Sequence, residues 1–307
     1  MSNTPIIIDA QVSDGDNLVK SFQVEGEEEN TSVRGRATRL GTVLDQILSA
    51  HQHPKLVAQT LGEVLVLTAV LGSMLKNDGS LTIQAKANGA IKLLVADYRS
   101  PGELRGYADV DEDKLKELGD NPNIEELFGD GYLAMTMDHG GDAEQYQGIV
   151  ELKGQTLADC AVEYFTNSEQ VPTALRINAA QDAVTGHWRG GGIMVQHLPK
   201  GEAGTTRNLA LDTSESWARA TAFLNSVKAS ELLDPSLDID ALLYRLFHED
   251  GVRVFEQLNL KRGCRCSQEK LGGVLAQFSD VEIEEMAIDG AIEMTCEFCN
   301  KAFEFKV

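Results

Sequence analysis

Four of the five cysteines form two tight pairs, Cys264-Arg265-Cys266 and Cys296-Glu297-Phe298-Cys299. The 29 residues between the pairs leave room for a small helix and a hairpin that would bring them together. Thiolates are soft, anionic donors, and two close pairs place four of them at the corners of a tetrahedron, the arrangement Zn²⁺ takes in closed structural sites. Neither pair sits on an apolar helical stripe, and both flank polar, turn-like residues, so neither reads as core. His248 is the last of the six histidines and precedes both pairs. The site is therefore all thiolate, with no open position for a reactive water, a ligand set unsuited to hydrolytic zinc chemistry. The metal is either structural or part of a switch.

The 47 residues from Lys261 to Val307 are too few to supply much stability from apolar burial. Structural zinc contributes on the order of 10–16 kcal/mol to the folding of such a module. Bridges within a pair would close loops so short that little chain entropy is recovered, so oxidation should release the metal and unfold the module. Lys261, Arg262, Arg265 and Lys270 surround the first pair in an otherwise acidic chain. These cations either favour the oxidant-reactive thiolate or merely offset the charge of a zinc tetrathiolate, and both readings stand. Cys160 differs, because its helical spacing with Leu157 and Tyr164 marks a buried, inert thiol. His51 and His53 read as ordinary surface or capping residues, and His187 and His197 lack a catalytic partner pattern. Without a Gly-x-Ser-x-Gly elbow, a Walker loop or a dinucleotide fingerprint, the expectation is that the chain is not an enzyme. Gly190-Gly191-Gly192 reads as a turn or bulge just before a strand, since no Gly-Lys-Ser/Thr follows.

The elements that must carry this module are of mixed type. Phe22–Glu25 and Val33–Ala37 read as strands around the acidic turn at Gly26–Asn30, and Val43, Leu44, Ile47 and Leu48 share one helical face. A helix from about Lys55 to Leu75 is apolar nearly all round in its second half, which places it at the centre of the core. Strands are expected at Leu81–Ala85, Ile91–Tyr98, Leu104–Val110, Tyr132–Met137, Tyr146–Leu152, Ala174–Ala179 and Ile193–Leu198. Helices are expected at Asp111–Leu118 and after the Thr156/Asp159 box. The polar run Lys200–Thr206 marks a boundary, and beyond it Asp212 caps a helix with Trp217, Ala220, Leu224 and Val227 on its apolar face. A second helix covers about Ile239–Phe247, and Val252–Leu258 is extended. The expected architecture is α+β: a core domain at 1–199 with mixed sheets and a buried central helix, a helical linker at 200–260, and a small zinc-binding module at 261–307.

The formal charge of −21 and pI near 4.6 repel phosphate backbones and anionic lipid, so neither nucleic acid nor membrane is expected as a partner. The N-terminal residues lack a basic stretch followed by an apolar one, and Val64–Leu75 is shorter than a span and follows Glu63. A cytoplasmic location is expected, where thiols stay reduced.

Along most of its length the chain resembles the redox-regulated 33 kDa chaperones, the heat-shock protein 33 family. The resemblance rests on Tyr146-Gln147-Gly148, on residues Tyr164 to Thr173 (YFTNSEQVPT), and on Gly191 to Gln196 (GGIMVQ). It extends through Leu243 to Glu249 (LYRLFHE) and the Cys264-Arg265-Cys266-Ser267 opening of the module. Asn300 stands where the family commonly has glycine, and Phe303 where it has tyrosine. The resemblance implies an ATP-independent holdase, inactive when reduced, with one Zn²⁺ on Cys264, Cys266, Cys296 and Cys299. It further implies that peroxide or hypochlorite pairs Cys264 with Cys266 and Cys296 with Cys299. The module and the helical linker then unfold, unfolding client proteins bind, and the oxidised protein forms a homodimer.

Overall fold

A computed structural model describes residues 16–24, 31–75, 78–119, 122–141, 144–199 and 215–306. The acidic turn at 26–30, the 200–206 boundary and the Asp212 cap lie outside the described residues.

The organising element is the helix α2, Lys55–Gly72, which follows α1, Thr42–Leu48. From Val64 to Gly72 every residue of α2 is buried, because both of its sides meet a sheet. Its length and apolarity would also suit a membrane span, but its apolar surface is spent inside the protein.

The first sheet has the order β10-β1-β2-β9-β8 and is antiparallel throughout. Its strands are β1 (Leu18–Val24), β2 (Thr31–Leu40), β8 (Thr173–Gln181), β9 (Trp188–Pro199) and β10 (Val252–Asn259). Alternation along these strands serves two separate cores. Val19 and Met194 face α2, whereas Leu18, Phe22, Ile193 and Val195 face the other way. That outer face is covered by α6 (Glu215–Ser226), α7 (Ala229–Leu233) and α8 (Ile239–Phe247), which bring Ala220, Leu224, Leu242, Leu243 and Phe247.

The second sheet has the order β11-β5-β4-β3-β6-β7. It contains β3 (Ser80–Ala87), β4 (Ile91–Arg99), β5 (Glu103–Val110), β6 (Gly131–Asp138), β7 (Tyr146–Glu151) and β11 (Lys261–Arg262). Only the short β5–β11 contact is parallel. Leu81, Ile83, Ala96, Tyr98 and Leu104 turn inward onto α2. The small helices α3 (Glu112–Glu117) and α4 (Ile124–Phe128) join β5 to β6, and α5 (Leu157–Asn167) joins β7 to β8. Thr156 and Asp159 form the expected reciprocal cap of α5, whose buried stripe includes Leu157, Cys160 and Tyr164.

Four departures from expectation have local causes. Gly190–Gly192 lies within β9, in register with β2 and β8, rather than in a turn before it. Side chains at Gly190 and Gly192 would run into Val66 of α2, so the glycines permit close helix–sheet approach. The actual turn is nucleated by Asp182, whose carboxylate accepts from the Val184 and Thr185 amides. The helices α4 and α7, five residues each, are too short to show a period. Finally, two helices rather than one separate the cysteine pairs: α9 (Gln268–Leu275) and α10 (Asp280–Met286). The hairpin of β12 (Ala291–Thr295) and β13 (Ala302–Lys306) straddles the second pair instead of preceding it.

Candidate metal centre

The first cysteine pair hangs from the edge of the second sheet. Lys261 and Gly263 donate their amides to the Gly102 and Leu104 carbonyls, which sets the chain leading into Cys264. Ser267 then caps α9 by accepting from the Lys270 amide at 3.2 Å, so Cys266 sits at the entrance of a helix. The second pair occupies the turn of the β12–β13 hairpin. The Cys296 amide donates to the Lys301 carbonyl, and the Cys299 and Asn300 amides donate back to the Cys296 carbonyl. Asn300 completes this turn at φ 56°, the left-handed region that glycine favours and asparagine tolerates. A glycine would keep the same backbone at this position.

The four Sγ atoms lie within 4.8 Å of one another. Separations are 3.3 Å for Cys264–Cys266, 3.6 Å for Cys264–Cys296 and 3.4 Å for Cys266–Cys299. Tetrahedral thiolates around zinc stand about 3.8 Å apart, given a Zn–S bond of about 2.3 Å, so the donor set fits the ion. All five cysteines are free thiols. Burial works against ionisation at Cys264, yet hydrogen bonds from the Cys266 amide and from the neighbouring thiols bring its pKa down to about 7. Burial pushes the Cys266 thiol up, and its neighbours add to the effect, while burial likewise raises Cys299. The thiols share protons and ionise as a set, and the hydrogen bonds they make to one another favour the first negative charge within the cluster.

The cations around the first pair are engaged largely elsewhere. Lys261 pairs with Glu103 at 3.2 Å, and Lys270 donates to the Arg265 carbonyl at 3.0 Å. Arg265 lies among Arg105, Asp97, Arg99 and Glu103 on the second sheet. The influences that lower Cys264 come from inside the cluster.

The module has little core of its own. From Lys261 onward, the buried apolar residues among those described are Leu275, Ile292 and Cys296. What holds it in place is the tip of the second pair. Phe298 lies under the Arg105 guanidinium at 3.8 Å and tilts against the Tyr107 ring at 6.3 Å, both on β5. Arg105 is itself fixed by Asp97, which also accepts from Thr82 at 2.8 Å. Tyr107 is pushed up to about 12 by burial and by its bond to Glu297.

The other candidates are placed apart from this cluster. Cys160 is fully buried, its thiol donates to the Lys153 carbonyl at 3.1 Å, and burial raises its pKa, as befits an inert thiol. His51 and His53 are not free surface residues. Their rings stack at 5.1 Å, His51 meets Tyr107 edge-on, and both Nε2 atoms are buried. His187 pairs with Asp45 at 2.9 Å, and His197 is buried with its ring 5.8 Å from that of Trp217. The Arg105–Phe298 contact carried no sequence signal, since residues far apart in the chain make it; the two histidines were visible as neighbours, but not the stacking of their rings or their burial beside Tyr107.

A family model described as Hsp33 protein matches residues 23–306. The chain belongs to the Hsp33 family. A "33 kDa chaperonin" of Caulobacter vibrioides is 39% identical over 296 residues, covering 94% of each chain. One from Photorhabdus laumondii is 35% identical over 280 residues, covering 90% of each. A solved structure, the Hsp33 homologue of Thermotoga maritima, superposes with a TM-score of 0.76 at 23% identity, over 94% of this chain and 95% of that one. Hsp33 is thus a chaperone family with an α+β fold, and in this member four clustered cysteines offer a metal site.

Proposed function

We propose that this Hsp33 is a redox-regulated, ATP-independent holdase that captures unfolding proteins under oxidative stress. The single observation that carries the reading is the convergence of Cys264, Cys266, Cys296 and Cys299 in a module with almost no apolar core. Cys264, Cys266, Cys296 and Cys299 hold one Zn²⁺ in the reduced state. The bound ion supplies the cross-link that Leu275, Ile292 and Cys296 cannot supply by packing. Peroxide oxidises Cys264 with Cys266, and Cys296 with Cys299. In each pair two thiols lose two protons and two electrons to form one S–S bond, and one peroxide becomes two waters. Oxidation removes the donors, so the module loses its cross-link and unfolds.

The functional units are the core at 1–199, the linker at 200–260 and the switch at 261–307. Covalent continuity supports their coupling. The β10 strand runs through Leu260, whose amide donates to the Asn17 carbonyl, directly into β11 and Cys264. Losing the module frees β11, then β10, and α8 lies immediately upstream. Release of α6–α8 uncovers the apolar outer face of the first sheet, which clients then occupy, and the oxidised protein dimerises. With a charge of −21 the opened protein stays soluble, cytoplasmic, and indifferent to nucleic acid and membrane. It performs no catalysis.

Peroxide titration of the reduced, zinc-loaded protein tests this reading, with released zinc, free thiols and client aggregation followed together. Zinc loss, disappearance of four thiols and suppressed aggregation should coincide. Zinc loss without suppression would overturn the chaperone step, and retained zinc with an intact fold would overturn the switch.

A further inference from the structure

Glu63 on α2 stands where two cavities meet. One, of about 480 Å³, lies between α2, α4 and the start of α5. The other, of about 150 Å³, lies against Ile177 and Asn178 of β8. Glu63, Thr156 and Leu157 line both. A space of several hundred Å³ is the size of a small-molecule site. The Glu63 carboxyl accepts from the Gln59 side-chain amide at 3.4 Å, and among the described residues no cation pairs with it. Burial accordingly pushes its pKa up to about 7.

A carboxyl in this setting works against the fold, because its charged form has lost water and gained no counter-charge. A glutamine would fill the same space and keep the bond from Gln59 without that penalty. A residue that costs stability while lining a cavity marks a place where binding is served instead. The walls say what could bind. Leu56, Ile124, Leu127 and Leu157 give the larger cavity apolar sides. Both α4 and α5 bring their first residues to it, yet neither start is left open to an anion. The Asn123 amide donates to Glu126 at 2.8 Å and the Thr156 amide to Asp159 at 2.9 Å, so each cap brings a carboxylate of its own. Lys55 is the cation among the lining residues. An anion would meet Glu63 inside, and a bare metal ion would leave the apolar walls unused.

We propose that the cavity around Glu63 is a binding site for a small organic cation, an ammonium or guanidinium group on a short apolar stem. The charged head bonds the Glu63 carboxylate, supplying the counter-charge that the fold does not. The stem lies along Leu56, Ile124, Leu127 and Leu157. None of the lining residues belongs to the metal module or to the linker helices. The site is therefore independent of the redox switch. Its occupant joins α2 to α4 and α5 and stabilises the core by mass action.

The test titrates phenethylamine into the reduced, zinc-loaded full chain at pH 8, where the carboxyl is mostly ionised, and follows backbone amides by NMR. Saturable shifts should appear at Thr60, Glu63, Asn123 and Thr156. Phenethyl alcohol, of the same shape without the charge, should bind about tenfold more weakly. Glu63→Gln should weaken the amine by about the same factor and leave the alcohol unchanged. Absence of saturable shifts at these four residues with millimolar amine would overturn the proposal. So would equal affinity for amine and alcohol, or undiminished amine binding by Glu63→Gln. Should Glu63→Gln not fold, the comparison of amine with alcohol on the unsubstituted protein decides.

Discussion

At the scale of single residues, the metal centre depends on one backbone angle as much as on its sulfurs. Asn300 holds the second pair's turn at φ 56°. Asn300→Val should cost on the order of 1–2 kcal/mol in module stability, because a β-branched residue is strained there, whereas Asn300→Gly should cost little. Competition with a chromophoric chelator checks this: the Val variant should release zinc at lower chelator concentration and the Gly variant should not. Glu63 offers a test away from the metal. It borders a cavity of about 480 Å³ between α2, α4 and the start of α5, and burial pushes it up to about 7, against the bond from Gln59. A carboxyl whose pKa is raised by folding is neutral in both states at low pH. It then loses stability as pH climbs from the ordinary carboxylate range through 7, because the unfolded chain ionises first. Glu63→Gln should match the parent in urea unfolding at pH 4 and exceed it by on the order of 1–3 kcal/mol at pH 8. Equal curves at both pH values would show that the carboxyl is well solvated. The convergence of the four cysteines and the burial of Cys160 were legible in the sequence, because spacing alone distinguishes two tight pairs from a helical stripe. The setting of Arg39 on β2, buried with its Nε donating to the Leu232 carbonyl at 3.1 Å, was not legible. Arg39 pairs with carbonyls nearly two hundred positions away, and every residue has a carbonyl, so the partner leaves no trace in residue type.

At the scale of elements, two kinds of contact hold the cysteine module and the linker helices in place. The β12–β13 hairpin is docked by Phe298 beneath Arg105, worth about 0.5–2 kcal/mol as a cation–π contact. Phe298→Ala should leave zinc stoichiometry unchanged while lowering the peroxide concentration for half-activation and speeding amide exchange in β12 and β13. Unchanged exchange would mean that the β11 tether alone positions the module. The linker helices are held by apolar burial. Leu224→Ala on α6, at a fully buried site, should cost about 2–4 kcal/mol locally. The expected outcome is measurable suppression of client aggregation by the reduced, zinc-loaded protein. The α6 and α8 stripes were legible because their period spans several turns. The pairing of β10 with β1 was not, since an extended run shows no sign of which edge it will join. For the same reason the hairpin was expected between the cysteine pairs, while in the structure its turn is the second pair itself.

At the scale of the whole molecule, the layers follow one order: linker helices, first sheet, α2, second sheet, metal module. The buried helix was visible as an apolar run, but its being enclosed by two sheets requires pairings that no local pattern encodes. Chelating zinc from the reduced protein should erase amide protection across 264–306 while α2 keeps the slowest exchange in the chain. Loss of protection in α2 at the same rate would mean that module and core unfold as one unit.

Because α2 lies in the middle of this order, the parts that the proposed switch would release are the two ends of the stack, and the sheets would still enclose the helix. The return journey is then short. Five helices, α6–α10, and one hairpin form from near-neighbour contacts, which is fast, and with the strands β10 and β11 they settle onto a template that never dissolved. On that switch, thiol chemistry rather than refolding would set the pace of shut-down once reductant and metal are restored.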